Sequence, residues 1–357
     1  MKILYPCHFL VFLLFVSNLY AQDGQLEPQK ASEDELAVIQ RGADLHDKGK
    51  YDEAIEQFSK VLVKNSACVQ AMYEMANTYY TKGDRKKAFE YSEMGLKYKS
   101  QYSALFYVLE GGIEDDNNNP PKAIEDYKNA ISVAPKFQSA YFNLAITLRR
   151  LNRNEEALNN FKQSLFLKPW HVSSNYHIAK IFMMKNQKYP AFMADMFFLR
   201  FANDDDKRIP DVLKEARQLT EGSRKNSSGA TTITLNTDTT EGDFMPAELL
   251  TGLISPSQIV DSFMSKKPTP LEKELHIYED AIKAISICVS DASANSSKFS
   301  MKFYGTFFHE MEKSGNAPAF CRIIGSRIDQ KESDEWLKAN PDAVKKYYEW
   351  EKQYFAK

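Results

Sequence analysis

The sequence predicts an all-α solenoid of about five helix-turn-helix repeats followed by a smaller helical domain. Three observations lead there. Ala54, Ala88, Ala123, Ala157 and Ala191 follow one another at steps of 34, 35, 34 and 34 residues, the period of a paired-helix repeat. Apolar residues around each alanine return at i, i+3, i+4 and i+7, which gives every helix one buried stripe. Turn and stop residues punctuate the pattern where a helix pair must end.

Each position has a steric reason. The alanines are repeat-packing residues, where the two helices of one unit approach so closely that a larger side chain would separate them. In the first copy, Lys48-Gly49-Lys50-Tyr51 closes the leading helix and Asp52-Glu53-Ala54-Ile55 opens the next, with Phe58 and Val61 on its apolar face. Gly83 repeats the stop in the second copy, and both glycines permit the left-handed turn that ends a helix. Pro135 and Pro169 end the second helices of the third and fourth copies. The third copy carries one extra residue, which the sequence assigns to the turn Asp116-Asn117-Asn118-Asn119-Pro120-Pro121, expected to bulge without breaking the stack. The fifth copy has Pro190 near the start of its second helix, where a missing N–H is harmless, and runs out at Asn203-Asp204-Asp205-Asp206.

On these residues the chain resembles the tetratricopeptide repeat family over about residues 35–204. The large aromatic usual early in the first helix is replaced by Val38 in the first copy and Asn175 in the fifth. The resemblance implies a concave wall built from the first helix of each repeat. The implied groove residues are Tyr73, Asn77 and Tyr80 in the second copy, Tyr107 in the third, Phe142, Asn143 and Arg149 in the fourth, and Tyr176 and Lys180 in the fifth. Glu114 and Asp115 in the third copy, Arg150 in the fourth and His177 in the fifth fall on the same set of groove slots. Aromatic rings edged by amides and cations suit an extended peptide, whose backbone the amides bond and whose apolar side chains the rings receive.

The remainder divides by composition. Residues 1–21 read as a signal peptide, with Lys2, a continuous apolar run from Phe9 to Val16 and a small residue, Ala21, before Gln22. That run is short for a membrane of ~20 helical residues, so no stable membrane insertion is expected after cleavage, and the mature chain is expected to be periplasmic or secreted. Residues 22–34 read as a flexible N-terminal segment and 205–220 as a capping helix that covers the last repeat. Residues 221–243 read as a Ser/Thr/Asn/Gly linker. Within it Thr231-Thr232-Ile233-Thr234-Leu235 has the character of a short strand, with no evident partner. Residues 244–357 read as a helical C-terminal domain, with stripes at Leu271, Leu275, Tyr278, Ile282, Ile285 and Val289, and at Phe299, Phe303, Tyr304, Phe307, Phe308 and Met311. The plan resembles exported tetratricopeptide proteins of Bacteroidota, through Gly242-Asp243-Phe244, Phe303-Tyr304 and Tyr347-Tyr348-Glu349-Trp350.

Chemistry is sparse. The 357 residues carry 46 Lys+Arg against 48 Asp+Glu, a net charge of −2, which gives no electrostatic basis for nucleic-acid binding. No metal or cofactor is expected. His309-Glu310 lacks the second histidine of a metalloprotease helix, since Lys313 occupies that place. Asp204-Asp205-Asp206 lacks the spaced ligands of a calcium loop. Nothing matches a phosphate loop or a serine nucleophile elbow. For Cys288 and Cys321 a disulfide and separate burial are both open. The expected function is a non-enzymatic, exported scaffold that binds a peptide segment or helix of an envelope or secreted partner. The alternatives are an enzyme with its site around His309, Glu310 and Glu312, and homo-oligomeric assembly through groove and tail.

Overall fold

The computed structural model describes residues 25–220, 224–225, 231–232, 240–248, 268–289 and 296–357. The proposed signal peptide and most of the linker lie outside them. The chain packs as two compact units, residues 1–151 and 152–357.

Among its described residues the first unit holds seven helices: α1 (Glu33–Asp47), α2 (Tyr51–Lys64), α3 (Val69–Lys82), α4 (Arg85–Leu96), α5 (Ser103–Asp116), α6 (Pro120–Val133) and α7 (Gln138–Arg150). They pair as α1–α2, α3–α4 and α5–α6, and the leading helices α1, α3, α5 and α7 pack side by side. The paired helices meet at small residues. Ala54, Ala88 and Ala123 are fully buried. Opposite them, a Cβ on Gly42 would overlap the Phe58 ring, and one on Gly111 would lie 2.5 Å from the Tyr127 ring. Gly42 precedes Ala54, Ala76 precedes Ala88 and Gly111 precedes Ala123 by the same 12 residues. Gly111 is therefore a packing glycine, and the extra residue of the third copy lies before it.

That corrects the expected bulge at 116–121. The turn Asn117–Asn119 is as short as its equivalents, and Asn118 takes the left-handed conformation at φ 56°, as Gly49 and Gly83 do at 73° and 95°. Asn tolerates this region because its short polar side chain bonds locally. The extra length sits in the α4–α5 link, residues 97–102, where the α2–α3 and α6–α7 links take only 65–68 and 134–137. The longer link receives the N-terminal segment. The Leu26 N–H donates to the Lys97 carbonyl (2.8 Å), the Lys99 N–H donates to the Leu26 carbonyl (2.9 Å), and the Gln29 N–H donates to the Ala67 carbonyl (3.1 Å). Part of the segment read as flexible is thus an extended strap across two interhelical links. It leads into α1 through a capping box between Ser32 and Glu35.

The second unit begins with α8 (Asn154–Leu167), α9 (Val172–Met184), α10 (Lys188–Phe201) and α11 (Ile209–Thr220). Asn152 and Asn186 supply the left-handed turn residues, at φ 58° and 57°. An ion pair also recurs at fixed repeat positions. Lys185 meets Glu155 at 3.2 Å here, and Lys82 meets Asp52 in the first unit. Beyond α11 a two-residue strand β1 (Arg224–Lys225) pairs antiparallel with β2 (Thr231–Thr232), so the described part of the expected extended stretch, Thr231 and Thr232, has a partner. The remaining helices are α12 (Pro270–Cys288), α13 (Thr306–Lys313, entered through a π-helical turn at Met301–Gly305), α14 (Ala317–Gly325), α15 (Gln330–Ala339) and α16 (Pro341–Ala356).

These C-terminal helices share a core with the last repeat. Every residue of α10 from Tyr189 to Leu199 is buried. Phe197 lies 4.8 Å from Phe307 and 5.0 Å from Tyr304, edge-on in both cases, and 6.4 Å from Phe355. Rings in such arrangements contribute about 0.5–1.5 kcal/mol per pair beyond their burial. Asn175, in place of the usual aromatic, is fully buried and accepts a 2.7 Å hydrogen bond from Tyr304. Arg200 donates to Tyr347 (3.0 Å) and Glu351 (2.5 Å). Arg327 caps the end of α10 through the carbonyls of Leu199 (2.5 Å) and Ala202 (2.6 Å). On α12 and just after it the expected stripe of Leu271, Leu275, Tyr278, Ile282, Ile285 and Val289 is buried, and α11 packs on both α10 and α12.

Replacing a repeat alanine tests the helix spacing. Ala123→Leu is expected to lower stability by about 1–3 kcal/mol through overpacking, measured by urea denaturation. An unchanged midpoint would show that α5 and α6 can separate freely.

Candidate functional site

The expected groove residues divide between the two units, and their surroundings differ. In the first unit Tyr73 is half-buried, its ring 5.9 Å from Tyr102 and 5.7 Å from Phe106. Asn77 on α3 and Asn143 and Arg149 on α7 are half-buried, and their side chains have no hydrogen-bond or ion-pair partner among the described residues. Phe142 is half-buried beside Asn143.

Tyr80 and Tyr107 serve internal packing. The Tyr80 hydroxyl donates to Asp116 Oδ2 (3.1 Å), which also accepts from Arg85 Nε (3.1 Å) and a terminal guanidinium nitrogen (2.9 Å). Burial and the adjacent Asp116 carboxylate push the Tyr80 phenol above its usual range. Asp115 beside it accepts from Tyr127 (3.2 Å) and Thr147 (2.5 Å), and pairs with Arg150. Two adjacent aspartates on α5 therefore fasten α3, α4, α6 and α7. Tyr107 packs against the buried cluster of Ala104, Ala130 and Ala140 and lies near Asp126 of α6. Its displacement from the expected groove slot follows from the extra residue in the 97–102 link, which advances α5 by one position.

Beside Tyr107, Glu110 is buried, and its Oε1 has no hydrogen-bond partner. Desolvation pushes its carboxyl up to about 7, with Asp126 and Glu93 adding to the rise. Asp126 is itself raised by burial, against the pull of Lys122 at 3.3 Å.

In the second unit Lys180 is ion-paired with Glu215 of α11 and lies 4.9 Å over the Tyr176 ring. Arg208 covers the same ring at 5.0 Å. Tyr176 and Lys180 are thus already engaged, by Arg208 and by Glu215 of α11. Asp195 beneath them is fully buried, and burial holds its carboxyl well above the usual range. His309 and Glu310 each have a partner of their own. His309 Nδ1 is 3.0 Å from the Ser286 hydroxyl, and Glu310 pairs with Lys357 at 3.2 Å. Among the described residues no cluster of three or more His, Cys, Asp or Glu side chains has the geometry to hold a metal. Cys68, Cys288 and Cys321 are free thiols, and burial pushes that of Cys288 up to about 11.

Residues 40–94 and 111–169 match the family model described as tetratricopeptide repeat. The match supports the tetratricopeptide family. The matched stretches bracket the 97–102 link, where the tetratricopeptide phase slips by one residue. No curated protein matches the chain. Solved structures that resemble it include PilF of Pseudomonas aeruginosa, at 18% identity over 53% of this chain and 89% of that one, with a TM-score of 0.46. A thermophilic tetratricopeptide protein of Thermus thermophilus gives 19% identity over 52% and 98%, with a TM-score of 0.40. YrrB, described as having an unusual peptide-binding site, gives 17% over 52% and 88%, with a TM-score of 0.35. No helix among the described residues is long and apolar enough to cross a membrane.

The Glu110 proton is held more tightly in the folded chain than in the unfolded one. Its contribution to stability is intact below about pH 4.5 and lost as pH rises through about 7. Glu110→Gln is expected to match the parent near pH 4.5 and to exceed it at pH 8 by on the order of 2 kcal/mol, read from urea midpoints at the two pH values. An equal difference at both would remove Glu110 from the pH response.

Proposed function

We propose that the protein is an exported interaction scaffold whose first unit binds a peptide segment or helix of another envelope or secreted protein. The observation that carries this reading is the row of leading helices α1, α3, α5 and α7. It presents Asn77, Asn143 and Arg149 half-buried, their side chains without partners among the described residues. Partly desolvated amides and a guanidinium that the fold leaves unused are suited to the backbone and acidic groups of a bound chain. Tyr73 and Phe142 add apolar area beside them. Arg85, Tyr80 and Arg150 are tied to Asp115 and Asp116, which keeps the leading helices in fixed register and lowers the ordering cost of binding.

The test compares the chain from Gln22 onward with its Asn77→Ala/Asn143→Ala/Arg149→Ala variant, as bait against envelope and culture-medium fractions. A partner bound by the parent should bind the variant at least about tenfold more weakly, since three lost hydrogen bonds at ~0.5–1.5 kcal/mol each exceed one decade of affinity. Equal capture by both proteins, with helicity unchanged, would remove this surface from the function.

A further inference from the structure

The second unit contains a polar pocket beside α8. It has a volume of about 450 Å³ and opens between α8, residues 240–241 and the stretch 296–302 that leads into the π-helical turn. This lies within the size range of small-ligand sites.

Its floor is electrically closed. Lys162 pairs with Glu241, and both are largely buried. The other Glu241 oxygen accepts from the Ser300 N–H (3.2 Å) and the Ser300 hydroxyl (3.0 Å). The Lys162 ammonium also lies 5.2 Å over the Phe299 ring. Breaking such a buried pair to serve a ligand would be costly, so neither charge is offered to an occupant.

The wall is aromatic. Phe166 stands edge-on to Phe299 at 5.5 Å. Phe299 is 7% exposed and Phe166 is 48% exposed, so one ring anchors and the other faces the opening. The rim is neutral and hydrogen-bonding, with Asn159, Asn160 and Gln163 from one side and Ser296 and Ser297 from the other. Asn160 donates to the Glu156 carbonyl (2.8 Å), which orients its amide and leaves its oxygen as an acceptor. One further residue, the exposed Lys302, borders the pocket, and its side chain has no ion-pair partner among the described residues.

We propose that this pocket binds a saccharide carrying a carboxylate, such as a uronate-containing glycan segment. A pyranose presents C–H groups on one face and hydroxyls around its edge. The negative face of the exposed ring accepts the first, and neutral amides and hydroxyls converging from two sides accept the second. The closed floor disfavours a cationic ligand, and the rim of amides disfavours a wholly apolar one. Lys302 is the complement of a sugar carboxylate.

The test is binding of the chain from Gln22 onward to an array of neutral and uronate-containing oligosaccharides, with calorimetry on those bound. The variants are Phe166→Ala, Asn160→Ala/Gln163→Ala and Lys302→Ala, all at exposed or half-buried positions whose folding is checked by thermal melting. A uronate oligosaccharide should bind, and the first two variants should weaken it at least about tenfold. Lys302→Ala should weaken the uronate ligand and leave its neutral analogue unchanged. No binding to any array member, or affinities that survive Phe166→Ala and Asn160→Ala/Gln163→Ala, would overturn the proposal. So would capture of a peptide instead that those same variants lose. Lys302→Ala affecting neutral and uronate ligands alike would overturn the acidic assignment.

Discussion

The fold rests on the close approach of paired helices at residues without bulk. At Gly42 and Ala54, Gly111 and Ala123, and their equivalents, the space between backbones is filled by one ring from the facing helix, Phe58 or Tyr127. That spacing fixes where every other side chain of the pair can reach. It sets the short turns that need a left-handed residue, and it places the leading helices near enough for Asp115 and Asp116 to bond four neighbours at once. A packed interior of this kind transmits a change of one methyl group to its surroundings.

The second unit adapts the same repeat to a different end. A terminal repeat must cover its apolar face, and here α10 is covered by the C-terminal helices so thoroughly that it serves as their core. Asn175 marks the change. A buried amide stands where an aromatic belongs in a repeat that faces another repeat, and it meets the Tyr304 hydroxyl. The polar pair gives the docking a direction that the Phe197 cluster, being adaptable, does not enforce.

Much of this was legible in the sequence, and what was not has identifiable causes. The alanine beat gave the repeat architecture because small residues at helix crossings cannot be exchanged. The stripes from Leu271 and Phe299 read as core for the same reason of period. The place of the extra residue was missed because counting from alanine to alanine spans both a turn and a link. Only the 12-residue interval from Gly111 to Ala123 separates the two. The left-handed conformation of Asn118, Asn152 and Asn186 was not legible because glycine is the stronger signal for positive φ. The engagement of Lys180 was hidden because Glu215 lies 35 residues away, outside any local pattern. The pocket beside Phe166 was not legible, since α8 and residues 240–241 are 79 residues apart at the Lys162–Glu241 pair.

The strap at Leu26 has a mechanical meaning. Its two hydrogen bonds to Lys97 and Lys99 belong to a parallel bridge, so tension applied along the N-terminal segment loads both together. The force then enters the chain between the second and third repeats instead of unwinding α1 from its first turn. A tether attached at that end would pull on the body of the array, and the capping box at Ser32 would stay slack until the bridge gave way.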